Sequence, residues 1–362
     1  MNKFDDIKIP DNFDLSIDIA INNALNDKAK QKVRKRNNFT RVIFIGMIVL
    51  SISLNSNIVL AYIDSITKQI ESFFDREASS FDKYKFDGLQ VSESNGLKFN
   101  LGEVMIDDNQ LIMSMSVDYS NFDFAQRRVN KKDLVPSFPT IILDEYTFVG
   151  QSNSFEVEKV KGEKKNNILL KVNLSEIDKD GDGISDTPFE ILDNLKPDKN
   201  YILKVFFNEL NTFYNGQYDP IIGDWEFTTK INISNIKKDT KVHSINENII
   251  INESVYKGNL NIEEVRISPV SVKVKYNYDL YDELPIEKRR EPTIIVKNQD
   301  GENLIDAPGT GGKLKNEKWY IGAEFNLNGD ESKIEVIPVV YINNEPKILQ
   351  EGVINLNIEN LN

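Results

Sequence analysis

Apolar and polar positions change rhythm several times along the chain. In "IPDNFDLSIDIAINNALNDKAKQKVRKR" the residues Ile17, Ile21, Ala24 and Leu25 recur at i, i+4, i+7 and i+8, one face of a helix, with Asp14 placed as its N-cap. Residues 42–63 then carry no charge over 22 positions, close to the ~20 needed to span a hydrocarbon core as a helix. Beyond them Ile66, Ile70, Phe73, Phe74 and Phe81 keep roughly helical spacing, which predicts a stalk helix over 64–89. The period then falls to two. In "QLIMSMSVDY", Leu111, Met113, Met115, Val117 and Tyr119 alternate with Ile112, Ser114, Ser116 and Asp118, which predicts a half-buried strand.

Similar strands recur in "GLKFNL", "PTIILDEYTFV", "NNILLKVNLS", "YILKVFFNEL" and "DWEFTTKINI", and turn residues separate them. The second half repeats the plan. "GEVMIDDNQLIMSMSVDY" (102–119) resembles "EEVRISPVSVKVKYNY" (263–278), so that Glu103 aligns with Glu264, Val104 with Val265 and Ile106 with Ile267, an offset of 161. Strands follow in "TIIVKNQDGENLI", where Asp300-Gly301 is a hairpin signal, in "KWYIGAEFNL" and in "KIEVIPVVYI". The expected fold is mainly β: a short cytoplasmic helix in a tail (1–41), one transmembrane helix (42–63), the stalk helix (64–89), and two tandem extracytoplasmic immunoglobulin-like β-sandwich domains (90–235 and 236–362).

Charge gives that order a direction. The net charge of −13 is unevenly spread: residues 1–27 sum to −4, and residues 28–41 hold seven basic residues and no acid. A basic run can bind nucleic acid, but this one abuts the apolar segment and reads as a topology signal, with the N-terminus cytoplasmic and the C-terminal part outside. The rival reading is a signal peptide, with residues 42–54 as its apolar region and "VLA" (59–61) as its cleavage site. Against it, 41 residues precede the apolar run, where a signal peptide has a short basic stretch. Ser51, Ser53, Asn55, Ser56 and Asn57 make the outer half of the span polar. That half is either interfacial or a weak helix open to an intramembrane protease. The tail helix has no core of its own to pack on, and Asp14, Asp18 and Asp27 disfavour anionic lipid, so a partner's groove suits it.

There is no cysteine, and His243 is the only histidine. Disulfides, thiolate zinc sites, cysteine nucleophiles and histidine pairs are thereby excluded. "GTGGK" (309–313) lacks the phosphate-loop spacing and reads as a loop, and Trp225 and Trp319 read as sandwich core. No pair of carboxylates stands out for acid–base work, so the chain is not expected to be an enzyme. One motif carries metal chemistry. "DKDGDGISD" sets Asp178, Asp180, Asp182 and Asp186 at positions 1, 3, 5 and 9 of an Asp-rich calcium loop, with Gly183 at the sharp turn and the Ile184 carbonyl at position 7. Position 12 is Phe189, so the loop departs from an EF-hand and suits a structural Ca2+ of modest affinity.

The succession of "IPDNFD", the basic run, the span, "IESFFD", "VSESNGLKFNLGEVMIDDNQLIMSMSVDYS" and "GDWEFTTKI" resembles Gram-positive single-pass membrane proteins that carry an Ig-like domain of unknown function. Many of that family are thought to be anti-sigma factors. The resemblance covers most of residues 8–230 and implies that the tail, through Ile17, Ile21, Ala24 and Leu25, sequesters an extracytoplasmic-function sigma factor. It implies that the outer domains receive an envelope ligand or a protease, that lipid holds the anchor, and that nucleic acid is not bound directly. It brings no catalytic residues, and the zinc-binding variety of anti-sigma domain is excluded by the missing Cys and His. The alternative is a cell-surface adhesin or wall-binding protein with Ig-like spacers.

Overall fold

Turns that need positive φ punctuate the alternating strands. Asn95 and Gly96 (52° and 78°) form a two-residue hairpin loop, as do Asn343 and Asn344 (54° and 68°), and asparagine or glycine, which tolerate the left-handed region, occupies all four places. The computed structural model describes residues 70–71, 74, 81–108, 110–124, 134–149, 153–178, 187–188, 190–211, 213–214, 217–253, 256–280, 291–306, 311–315 and 318–358. All belong to one compact unit. They are mainly β, in several antiparallel sheets. The tail helix with Ile17, Ile21, Ala24 and Leu25, and the apolar run 42–63, lie outside them. Among the described residues no helix is long and apolar enough to cross a membrane.

The first half runs β1 (Lys85–Ser94), β2 (Leu97–Ile106), β3 (Gln110–Asp118), β4 (Val135–Pro136), β5 (Thr140–Leu143), β6 (Tyr146–Phe148), β7 (Asn153–Lys159), β8 (Lys165–Asn173), β9 (Glu176–Asp178) and β10 (Thr187–Pro188). Then come α1 (Ile191–Asn194), β11 (Tyr201–Asn211), β12 (Phe213–Tyr214), β13 (Gln217–Tyr218) and β14 (Ile221–Ile231). One sheet has the order β1-β2-β3-β8-β7 and the facing one β10-β9-β6-β5-β11-β14, with β4 also on β11. Aromatic rings fill the space between them. Phe99 of β2 lies 4.6 Å from Trp225 of β14 and 5.7 Å from Phe207 of β11, centroid to centroid. Trp225 is 1% exposed and donates its indole N–H to the Leu97 carbonyl at 3.2 Å, so it is core, as its place in the strand suggests.

Side chains close one side of this sandwich. The Gln90 amide donates to the Thr228 carbonyl and accepts from the Thr228 N–H at 2.9 Å. Ser92 and Ser94 accept from the N–H groups of Glu226 and Asp224, each at 3.1 Å. Alternate side chains of β1 thus bond to the backbone of β14, the last strand of the opposite sheet.

A helix, α2 (Ser234–Asp239), leads to the second half: β15 (Lys241–Glu253), β16 (Tyr256–Ile267), β17 (Ser271–Leu280), β18 (Thr293–Asn298), β19 (Gly311–Lys315), β20 (Lys318–Asn326), β21 (Lys333–Ile342), β22 (Glu345–Ile348) and β23 (Ile354–Asn357). The expected boundary at 235/236 falls inside α2. One sheet is β15-β16-β17-β20-β19, the order of the first half repeated. A second, of β18, β21, β22 and β23, shares a separate core with it, in which Leu260, Val274 and Val336 are fully buried.

The register repeats as well. Leu101 opposite Met115 and Val104 opposite Met113 recur as Ile262 opposite Tyr276 and Val265 opposite Val274, each 161 residues on. The irregularity between Asp87 and Gln90 in β1 recurs between Ser244 and Glu247 in β15.

Three expectations need correction. Strand β1 begins at Lys85, inside the segment read as a stalk helix to 89; among its described residues only Ile70 and Glu71 are helical. Strand β3 is buried on both faces, because the far side of its sheet is covered as well. Its far-side residues Ser114 and Ser116 find partners in the Glu103 N–H (2.8 Å) and the Asn100 amide (3.1 Å), and Phe74 lies over Lys171 on that same side. Finally, the glycine-rich 309–313 is strand from Gly311 on, since Gly311 and Gly312 pair with Gly322 and Ile321 of β20.

Candidate functional site: the charged junction between the two halves

Of the sequence-predicted site residues only Asp178 lies among the described residues, and the tail residues Ile17, Ile21, Ala24 and Leu25 lie outside them. Asp178 ends β9 and is 8% exposed; Asp180, Asp182, Ile184 and Asp186 lie outside the described residues. Among the described residues no group of acidic or histidine side chains is placed to hold a metal. What the fold does assemble is a buried cluster of charges where the two halves meet.

Its scaffold is a pair of equivalent hairpins. The β2–β3 turn is closed by the Asp107 N–H on the Gln110 carbonyl, and the β16–β17 turn by the Ser268 N–H on the Ser271 carbonyl, both at 2.9 Å. The two tips touch. Ser268 and Ser271 donate their hydroxyls to Asp107 Oδ2 at 2.9 and 2.5 Å, and Val270, from the second hairpin, is buried in the core of the first half.

Alternation on β16 and β17 turns Glu264, Arg266, Lys273 and Lys275 toward the first half. Arg266 is 6% exposed and meets Asp108 (3.3 Å), Asp193 (2.7 Å), Glu190 (3.6 Å) and its neighbour Glu264 (2.5 Å). Lys273 reaches Glu190 at 3.0 Å and Asp108 at 3.6 Å, and Lys275 reaches Glu190 at 3.1 Å. Helix α1 supplies Asp193, and the residue before it is Glu190. On the adjoining strands Lys171 donates to Asn326 Oδ1 at 2.9 Å, and Glu324 is 1% exposed.

Burial and neighbours divide these carboxyls into two kinds. Burial works against ionising Glu190 and Asp193, but the cations around them win and hold both below the usual carboxylate range. Glu324 is pushed up to about 8 by burial and by Asp107 and Asp108 beside it, against the pull of Lys273 and a hydrogen bond with Gln110. Asp107 is pushed up to about 6 by burial, in spite of its two serine donors. Lys171 is pulled down to about 8, again by burial. Such an arrangement joins the two halves through buried ion pairs.

No family model matches the chain, and no curated protein matches it. Among solved structures, the conserved domain protein from Bacillus anthracis is similar over 81% of this chain and 100% of its own, at 19% identity and a TM-score of 0.49. Bovine butyrophilin is similar over 70% and 92%, at 7% identity and a TM-score of 0.18. Likenesses this distant carry no argument about function.

Sequence reasoning passed over the junction, although one signal for it was present. Three cations, Arg266, Lys273 and Lys275, sit on alternate positions of a predicted hairpin, on the face that an exposed sheet would fill with mixed polar residues. The equivalent turn 161 residues earlier carries Asp107-Asp108.

A second cluster ties in the segment before β1. Lys85 is surrounded by Glu71 (2.5 Å), Glu103 (2.8 Å) and Asp82 (3.0 Å), with Glu71 and Glu103 at 2% and 5% exposure. Three carboxylates share one ammonium. Burial, with Glu71 and Asp82 adding to it, pushes Glu103 up to about 7 despite Lys85.

Proposed function

We propose that this chain is a membrane-anchored, anti-sigma-factor-like regulator. Residues 42–63 form its single span, and its cytoplasmic tail captures an extracytoplasmic-function sigma factor through Ile17, Ile21, Ala24 and Leu25. Two Ig-like sandwiches outside the membrane receive the signal, with a structural Ca2+ held by Asp178, Asp180, Asp182, the Ile184 carbonyl and Asp186.

The observation that supports this reading most is how the first described residues after the apolar run are fastened. Ile70 and Phe74 are buried in the first core, and Glu71 is held by Lys85, a residue of β1. A passive spacer needs only a loose linker. A segment locked into the sandwich suits a protein whose outer part must act on its anchor.

Residues 1–41 fused to a soluble carrier should capture the cognate sigma factor. Ile21→Asp and Leu25→Asp should each weaken capture and raise target-gene transcription, because a helix that orders on binding depends on a few apolar anchors. If the fusion captures no sigma factor and deletion of the tail leaves transcription unchanged, the adhesin reading replaces this one.

A further inference from the structure

The junction holds more acid than base. Seven carboxylates (Asp107, Asp108, Glu156, Glu190, Asp193, Glu264 and Glu324) meet five cations (Lys171, Lys237, Arg266, Lys273 and Lys275). Water relieves such an excess at the rim, where Asp193 has a half-exposed side chain, but not at the centre. There Asp107 and Glu324 are at 0% and 1% exposure. Asp107 leans on two hydroxyls, with its Oδ1 buried and lacking a hydrogen-bond partner.

The groups around this centre come from every element that meets there. The β2–β3 turn brings Asp108 and Gln110, β8 brings Lys171 with Glu156 of β7 beside it, the β16–β17 turn brings Ser268 and Ser271, and β17 brings Lys273. Lys273 is already engaged by Asp108 and Glu190. With Lys273 so engaged and burial weakening the charge on Lys171, the two central carboxyls are accommodated more readily protonated than ionised.

We propose that the junction is a proton-operated clasp: protonated Asp107 and Glu324 hold the two sandwiches in one arrangement, and loss of those protons in alkaline surroundings frees one sandwich to move against the other. This concerns residues 81–358 and stands apart from the proposed anti-sigma role. Both carboxyls bind protons more tightly in the clasped form than in water, so clasping is strongest in acid and is lost as pH rises through about 6 and then about 8. Lys171, pulled down to about 8, binds its proton less tightly in the clasped form and so works against the carboxyls above that pH; two carboxyls outweigh the one amine.

The absence of cysteine permits a direct measurement. Phe138 and Ile305, 61% and 73% exposed, lie in the first and second halves; each is replaced by cysteine in the full-length chain and spin-labelled in detergent. A single narrow distance is expected at about pH 5.5, and a broad distribution at about pH 9 with circular dichroism unchanged. Glu324→Gln should remove the broadening that develops near about pH 8 and Asp107→Asn that near about pH 6, so that each is narrower than the parent at about pH 9. The proposal is overturned if the parent shows the same distance at both pH values, or if it broadens only as its circular dichroism collapses. It is equally overturned if both variants, folded at acid pH, broaden as the parent does.

Discussion

Ser268 donates its hydroxyl to Asp107 at 2.9 Å, and these are the same residue of the two repeats, 161 positions apart. The halves therefore meet through equivalent hairpins, tip against tip. A duplicated unit has in this way become its own partner, with acid on one copy and hydroxyl and cation on the other.

Removing one side of that contact should be costly. Arg266→Met takes from buried Asp108 one of the cations around it, and a loss of about 3–5 kcal/mol is expected for such a broken buried pair. The double variant Arg266→Met, Asp108→Leu should recover part of it. Urea melts of the parent and both variants measure the difference.

The closure of β1 on β14 makes a gentler prediction. Gln90→Ala removes a donor and an acceptor that together serve both backbone groups of Thr228, and should cost about 1–3 kcal/mol. Ser92→Ala, which loses a single bond to Glu226, should cost less than Gln90→Ala in the same denaturation experiment.

Gly258 answers to space rather than to backbone angle. A Cβ there would run into the Asp279 carbonyl and the Tyr278 ring, which face it across the β16–β17 ladder. Gly258→Ala should destabilise by about 1–3 kcal/mol, as overpacking does. Thermal unfolding followed by tryptophan fluorescence reads it.

The cluster around Lys85 predicts a pH effect separate from the junction's. Glu103 titrates near 7 in the folded protein, above its ordinary 4.5. Its contribution is thus complete below about 4.5 and is lost as pH rises through about 7. Glu103→Gln should flatten the fall in melting temperature across that window while leaving stability in acid nearly unchanged.

For the acidic loop, calcium should raise the melting temperature of the parent and have no effect on Asp180→Ala, Asp182→Ala. Equal melting curves with calcium and with chelator would reject the site.

The parts of the fold legible in sequence were those set by short-range chemistry. Alternation marked β2, β8, β11 and β14, and Glu103, Val104 and Ile106 aligned with Glu264, Val265 and Ile267 because each lies in the same register beside the same irregularity. Burial of the second face of β3 was not legible, since Ser114 and Ser116 look like solvent residues until Glu103 and Asn100 reach them. The junction was hidden for a related reason. Asp108 and Arg266 are 158 residues apart, and only the docking of two hairpins makes a surface pair of charges into a buried one.

Val270 bears on how the protein is made. The last strand of the first half ends at Ile231, yet the core of that half is completed by a side chain almost forty residues further on. At synthesis rates of about 5–20 residues per second, the first sandwich waits about 2–8 s for its final piece. During that interval a nascent chain carries an unfilled socket, so a chaperone or a protease meeting it then sees a different surface from that of the finished protein.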